Sequence, residues 1–248
     1  MMLRNFACAA VFAAAVWAQA PVLNGPFVLA EEGPSSATLA VLKLDASGAV
    51  SGTEYVQSPG VTQAVPVTGA VQIAADGSGT LTLYSTITTE DGEATAVAAI
   101  YDFLSAKATG FVAIRRDSAA ATVAEITPAA SAPALAGSFL LADEGVSPSG
   151  ERVAEIGLLT FKADGTLAGR VVVKQNSASE ARAVDGSFVA DGSGFGTLKF
   201  HTNLPADEDG GVGVRTTPYV FAVTAAGEIV ALRSDNSVLG LARLAPVR

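Results

Sequence analysis

Apolar residues recur at every second position along much of the chain, a pattern typical of β-strands buried on one side. The segment 65–74 shows it most strictly, with Val65, Val67, Gly69, Val71 and Ile73 on one face. Turns rich in Gly, Asp and Ser separate short segments of this kind at regular spacing. The pattern predicts eight strands in the first half of the chain, at 24–33, 38–45, 49–57, 65–74, 80–87, 94–105, 110–116 and 122–127.

The whole pattern occurs twice. GPFVLAEEG at 25–33 matches GSFLLADEG at 137–145, and FVAIRRD at 111–117 matches IVALRSD at 229–235. The turns between them also correspond, as in the two copies of ADGSG, which begin at Ala75 and Ala190. A repeat of this length is too long for one rung of a solenoid, so it indicates a duplicated domain.

Short strands joined by hairpin-sized turns predict an up-and-down meander. Closure into a barrel removes its two open edges, whereas a two-sheet sandwich has the same periodicity and remains the alternative. We therefore predict an all-β fold of two tandem repeats, each an antiparallel meander of about eight strands that forms a small barrel or barrel-like sandwich. The predicted parts are a signal peptide at 1–20, repeat 1 at 21–128, an Ala- and Pro-rich linker at 129–135 and repeat 2 at 136–248.

Two strands depart from strict alternation. The segments 94–104 and 218–223 are largely apolar on both faces, which predicts that the sister repeat or another subunit covers them on the outside. The alternative is that small Ala side chains are simply exposed, at little cost.

Composition and charge narrow the function. Of 248 residues, 50% are hydrophobic and 16% charged, with a formal net charge of −9. An acidic chain repels phosphate backbones, so no nucleic acid is expected as a partner. Residues 24–128 carry 4 basic and 11 acidic residues, and residues 136–248 carry 10 and 13, so the first repeat is the more acidic one.

The N-terminus has the features of a secretory signal peptide: Arg4, then a short apolar run, then small residues. Cleavage after Ala18 is preferred to cleavage after Ala20, which would leave Pro21 first. Cys8 lies within the apolar run and has a poor lipobox before it. The mature chain would then have no cysteine and no disulfide, and we expect a periplasmic or secreted protein.

Candidate catalytic residues are few. His201 shares a strand face with Thr197 and Lys199, and a surface histidine is favoured over a ligand or base because a base needs a nucleophile and an orienting group. The acidic pairs 31–32 and 143–144 could perform acid–base chemistry or bind calcium. Neighbouring strand residues point to opposite faces, however, so solvated strand ends are the favoured interpretation.

Other motifs are equally incomplete. The acidic turns at 90–93 and 207–210 lack the full set of calcium ligands and are interpreted as solvated hairpin tips. Arg115 and Arg233 each precede an Asp by two residues, which predicts a structural Arg–Asp pair near the end of each barrel. The DGSG turns join strand to strand without a Lys, so they are not phosphate-binding loops. The sequence predicts no catalytic, cofactor or metal residues, and no cofactor.

The strand and turn motifs, G-x-F followed by L-x-F-x-A-D-G-x-L-x-G and A-D-G-S-G, resemble those of uncharacterised secreted bacterial β-repeat proteins across both repeats. The same turns are similar to those of avidin-type eight-strand barrels, which bind ligand with several Trp side chains. The only Trp here is Trp17, within the predicted signal peptide, so the resemblance implies a barrel and carries no biotin site.

We expect an exported, non-enzymatic β-domain protein with a structural, adhesive or protein-interaction role. The alternative is a carrier that binds a small apolar ligand inside the barrel. The expected partner is thus an unknown protein or a small apolar ligand. An outer-membrane barrel of sixteen strands is a third reading, but it fits poorly with 6% aromatic residues and no terminal aromatic strand. We therefore expect a chain that does not span the membrane after signal removal. An enzyme ranks fourth.

Overall fold

A computed structural model describes residues 23–88, 92–104, 109–131, 135–147, 149–175, 177–206 and 212–248. These residues form strands and turns, and they include no helix that is long and apolar enough to cross a membrane. The first repeat contains β1 (Gly25–Glu32), β2 (Ala37–Leu44), β3 (Ala49–Ser58), β4 (Val61–Ile73), β5 (Gly79–Thr88), β6 (Ala94–Phe103), β7 (Phe111–Arg115) and β8 (Val123–Pro128). The second contains β9 (Gly137–Val146), β10 (Arg152–Phe161), β11 (Thr166–Gln175), β12 (Ala178–Ala190), β13 (Phe195–Ala206), β14 (Val212–Val223), β15 (Ile229–Arg233) and β16 (Leu239–Pro246).

Each repeat is a closed barrel of eight antiparallel strands. Consecutive strands pair along the meander, and β1 pairs with β8 as β9 pairs with β16 to complete each ring. The prediction of two tandem all-β repeats is confirmed, and closure decides for the barrel over the sandwich. Strand edges match the prediction to within a few residues, because the Gly- and Asp-containing turns mark them in the sequence.

The interiors are filled by the alternating apolar positions. In the first barrel these include Leu42, Val67, Leu83, Phe103 and Phe111, and the equivalent positions of the second are also buried. Residues on the inner faces near the other barrel end are more polar, as described below.

Two glycines inside strands show why the barrels require them. A Cβ on Gly69 would lie 2.0 Å from the carbonyl oxygen of Thr82 on the next strand, and one on the equivalent Gly186 would lie 2.0 Å from that of Lys199. A small barrel bends its strands strongly, and a residue without Cβ allows the neighbouring backbone to approach this closely.

The two barrels pack through an apolar contact. The outer faces of β1 and β2, with Val28, Leu39 and Val41, meet the outer faces of β13 to β16. The residues contributed by the second barrel are Phe195, Val220, Ala222, Val230, Leu232 and Leu241. The backbone of Ala129, at the start of the predicted linker, pairs with Thr224 and extends this contact.

The prediction of covered outer faces is therefore right for one strand and wrong for its equivalent. Val220 and Ala222 of β14 are covered by the first barrel. On β6 the outward residues Ala96 and Ala98 are exposed, so the alternative of tolerated small side chains holds there.

Candidate functional site: the cup of the first barrel

An ion pair is buried inside the first barrel near one end. Glu31 of β1 is 2% exposed, accepts a hydrogen bond from the Tyr101 hydroxyl and pairs with Arg115 Nη1 at 3.1 Å. Arg115 also donates to Asp117 at 3.1 Å. Burial alone would lower the pKa of Arg115, but the hydrogen bond to Asp117 and the charge of Glu31 raise it. Burial, with the adjacent Glu31, likewise raises the pKa of Tyr101. The guanidinium and the phenol are thus fixed in their protonated states.

A second carboxyl, Glu54 of β3, lies beside this pair and is 6% exposed. Burial raises its pKa, while a hydrogen bond from Ser85 and the charge of Arg115 oppose the rise. Glu31 already has Arg115 as a counter-ion. Glu54 has a neutral hydroxyl as its hydrogen-bond partner, which leaves its charge less well compensated.

Glu54, Tyr101 and Arg115 form the floor of a cavity of about 810 Å³ that opens at this end of the barrel. We call this cavity the cup. Its wall is mixed in character and includes Thr38, Val56, Val61, Ser85, Ile87, Val97 and Ala99. The volume falls within the usual range of small-molecule sites, roughly 300–1,000 Å³.

The second barrel retains the floor pair. Arg233 Nη2 contacts Asp143 Oδ2 at 2.7 Å and Glu155 Oε1 at 3.1 Å, and the Tyr219 hydroxyl donates to Asp143 at 3.0 Å. The guanidinium also lies 5.5 Å from the centroid of the Tyr219 ring. Burial opposes the charge of Arg233, but the surrounding acidic groups outweigh it and its pKa is raised.

The described part of the second barrel has no cavity as large as the cup. Phe200 occupies the repeat position of Leu83, Arg215 that of Val97 and Val171 that of Glu54. The inner part of the equivalent space is about 10 Å³, and a separate groove of about 400 Å³ lies at its mouth. Phe200 and Arg215 thus narrow the inner part of the second barrel, and Val171 removes the acid that Glu54 provides in the first.

In each acidic pair identified from the sequence, the two side chains point to opposite faces of the strand, as strand geometry requires. Glu32 and Glu144 are exposed, but Glu31 and Asp143 are buried in the barrels. The interpretation of both pairs as solvated strand ends is wrong for these two buried residues, because each has an inward-facing Arg as a partner.

Of the two predicted Arg–Asp pairs, one forms and the other does not. Arg115 pairs with Asp117, as predicted. Arg233 instead pairs with Asp143, and Asp235 accepts hydrogen bonds from Ser237, so that prediction is wrong. The loop after β15 turns Asp235 away from the barrel interior.

The remaining candidates bring no chemistry together. His201 is on the outer face of β13, as predicted, and its Nδ1 lies 2.9 Å from the Thr216 hydroxyl. The described residues contain no cluster of His, Cys, Asp or Glu with the geometry of a metal site. Most of the acidic turns at 90–93 and 207–210 lies outside the described residues.

Sequence reasoning missed the cup. Glu54 and Tyr101 each occupy an inward position in a strand, and the only signal was a Glu at a position where the other repeat has Val171. No protein-family model matches the chain, and a sequence search finds no curated protein that matches it.

Proposed function

We propose that the first barrel binds a small organic molecule with an apolar body and a protonated amine, held in the cup. The observation that carries this proposal is the difference between the barrels. One repeat keeps a cavity of about 810 Å³ over a buried acid, whereas the other has about 10 Å³ over its Arg and a separate groove of about 400 Å³ at the mouth. Both repeats form the same closed barrel, so the fold alone does not require this cavity.

The charge on the cup floor favours a cation. Arg115 and Glu31 neutralise each other, and Asp117 adds a further contact to the same guanidinium. Glu54 then contributes an excess negative charge close to the cavity. An ammonium group would supply the counter-ion that Glu54 lacks and would lower its pKa.

The wall favours an amphiphile. Val56, Val61, Ile87 and Val97 provide apolar surface above the floor, and Ser85 and Thr38 provide hydrogen-bonding groups. This placement suits a ligand whose amine points inward and whose apolar part contacts the wall.

The test uses dansylcadaverine, a fluorescent amphiphilic amine, and a neutral dansyl amide of similar size. Glu54→Gln should weaken binding of the amine by about 10- to 100-fold, because hydrogen bonds between charged groups contribute about 1.5–3 kcal/mol. It should leave binding of the neutral amide unchanged. Binding of the amine should weaken as the pH falls through the raised pKa of Glu54.

Two further variants test the location. Ser85→Phe places a ring on the cup wall, Val97→Arg introduces the residue that the second barrel has at this position, and the double variant should abolish binding of both probes. Tyr84→Arg changes the neighbouring outward residue, which is 56% exposed, and should have no effect. Binding that persists in the filled variant, or a loss in Tyr84→Arg, would exclude the cup as the site.

A second function, the structural or interaction role expected from the sequence, is favoured by a separate observation. Branched aliphatic side chains, among them Ile114 and Ile156, are exposed on the barrel walls. They lie outside the cup, so this role and ligand binding do not compete. Light scattering of the purified protein over a range of concentrations tests whether these surfaces associate.

A further inference from the structure

The contact between the barrels uses two different surfaces of the same repeat. The first barrel contributes the outer faces of β1 and β2, and the second contributes mainly those of β14, β15 and β16. By repeat position, β1 and β2 correspond to β9 and β10, and β14 to β16 correspond to β6 to β8. The contact is thus heterologous, or head-to-tail, and it leaves one half unused on each barrel.

Six apolar positions of the used halves are apolar on the unused halves as well, whereas Asp102 stands at the position of Val220. On the second barrel, Leu140, Ile156 and Leu158 stand at the positions of Val28, Leu39 and Val41. We call this surface the leading face. On the first barrel, Val112, Ile114 and Val123 stand at the positions of Val230, Leu232 and Leu241, and we call this surface the trailing face.

Burial separates the two sets completely. The six residues in the internal contact are at most 9% exposed, whereas their six equivalents are 51–62% exposed. Val172, at the position of the interface residue Tyr55, is also exposed. A strand face that meets only water has no need of these side chains.

Another outer face of the barrels shows which residues occupy a strand face that is exposed to water. The outward positions of β4 are occupied by small or polar residues, namely Thr62, Ala64, Pro66, Thr68, Ala70 and Gln72. Exposed Val, Ile and Leu are thus concentrated on the leading and trailing faces, where they form patches of the kind that mark interaction sites.

One polar difference between the used and unused halves places opposite charges on the leading and trailing faces. In the internal contact, Thr53 lies in a groove with Phe195. On the unused halves, Arg170 stands at the position of Thr53. Asp102 stands at the position of the interface residue Val220, accepts a hydrogen bond from Thr80 at 3.2 Å and pairs with Arg116. If the leading face met the trailing face in the internal geometry, the positive Arg170 and the negative Asp102 would lie on facing surfaces.

A second polar position behaves similarly. Gln57 donates from Nε2 to the carbonyl oxygens of Arg233 and Val238 at 3.1 and 2.9 Å, across the internal contact. Lys174 stands at its position on the second barrel and is exposed. Its ammonium group would donate to the equivalent carbonyl oxygens, those of Arg115 and Ala120, on another copy.

We propose that the leading face of one chain docks on the trailing face of a second copy of the same chain, and so repeats the internal contact between chains. The inference deepens the interaction role above by naming its partner, and it does not depend on the cup. Because each chain offers one face of each kind, the contact propagates into a ring or a filament.

The test uses two single variants of the full protein, Ile156→Lys on the leading face and Ile114→Lys on the trailing face. Wild-type mass, measured by light scattering, should rise with concentration in steps of one chain. Each single variant should weaken self-association by at least about tenfold, because a charge then enters the apolar contact. Tyr84→Arg is the matched control and should assemble like wild type.

A mixture of the two variants is the sharpest measurement. Each variant keeps one intact face, so the mixture should form a species of two chains and no larger assembly. Far-UV circular dichroism and thermal unfolding check that both variants remain folded, as expected for exposed positions. A wild type that stays monomeric overturns the proposal. Assembly that neither variant affects overturns the assigned faces while leaving an interaction role in place, and a mixture without heterodimer overturns the pairing.

Discussion

Two substitutions at one repeat position test the head-to-tail contact between the barrels. Leu232 is fully buried by the first barrel, and its equivalent Ile114 is 60% exposed. Leu232→Ala removes buried methyl groups and leaves a cavity, which costs about 2–5 kcal/mol. Ile114→Ala removes similar atoms from a surface where changes are usually within about 0.5 kcal/mol.

Urea unfolding followed by circular dichroism gives both values, at protein concentrations low enough to keep the chain monomeric. A shift in the midpoint at constant slope reports the change in the free energy of unfolding. If the barrels unfold separately in Leu232→Ala, the transition should split in two, because the variant weakens the contact that couples them.

Equal effects of the two substitutions would refute the reasoning. A large cost at Ile114 would mean that the trailing face is buried within the single chain. A negligible cost at Leu232 would mean that the two barrels do not pack through β15.

Three further predictions follow from the interiors and strands. Arg233→Met leaves Asp143 without its buried counter-ion and should lower the free energy of unfolding by about 3–5 kcal/mol, whereas Arg116→Met, at an exposed pair, should leave it unchanged in the same urea titration. Burial raises the pKa of Glu54, so the folded state binds this proton more tightly than the unfolded chain and loses stability as the pH rises above the ordinary value of 4.5. Glu54→Gln should therefore be more stable than wild type near neutral pH and equal to it below 4.5 in unfolding measured across pH. Gly69→Ala places a Cβ against a neighbouring carbonyl and should cost about 3 kcal/mol or more, visible as a lower melting temperature.

The fold can be predicted from the sequence because the signals for strands and turns are local. Alternation in Val61–Ile73 places one face inward. In three turns the carboxylate of Asp45, Asp76 or Asp191 accepts a hydrogen bond from a Ser two residues later. These features specify strand, turn and meander without knowledge of the neighbours. Closure follows because a meander of eight strands otherwise leaves two open edges.

The cup and the contact between the barrels depend on information that no local pattern holds. Glu31 and Glu32 look alike in the sequence, and only barrel closure places Arg115 and Tyr101 against the first of them. Leu39 and Ile156 are equivalent in the two repeats, but the sister barrel covers only Leu39. The comparison of the two repeats position by position supplies what the single pattern lacks, since differences such as Val97 and Arg215 mark where their roles diverge.

Native mass spectrometry tests the cup most directly. The protein should be isolated from the cells that produce it, beside the Ser85→Phe, Val97→Arg variant isolated in the same way. We expect wild type to carry the added mass of one small amine-containing molecule per chain, and the filled variant to carry none. The same mass excess in both proteins, or none in either, would contradict ligand binding by the first barrel.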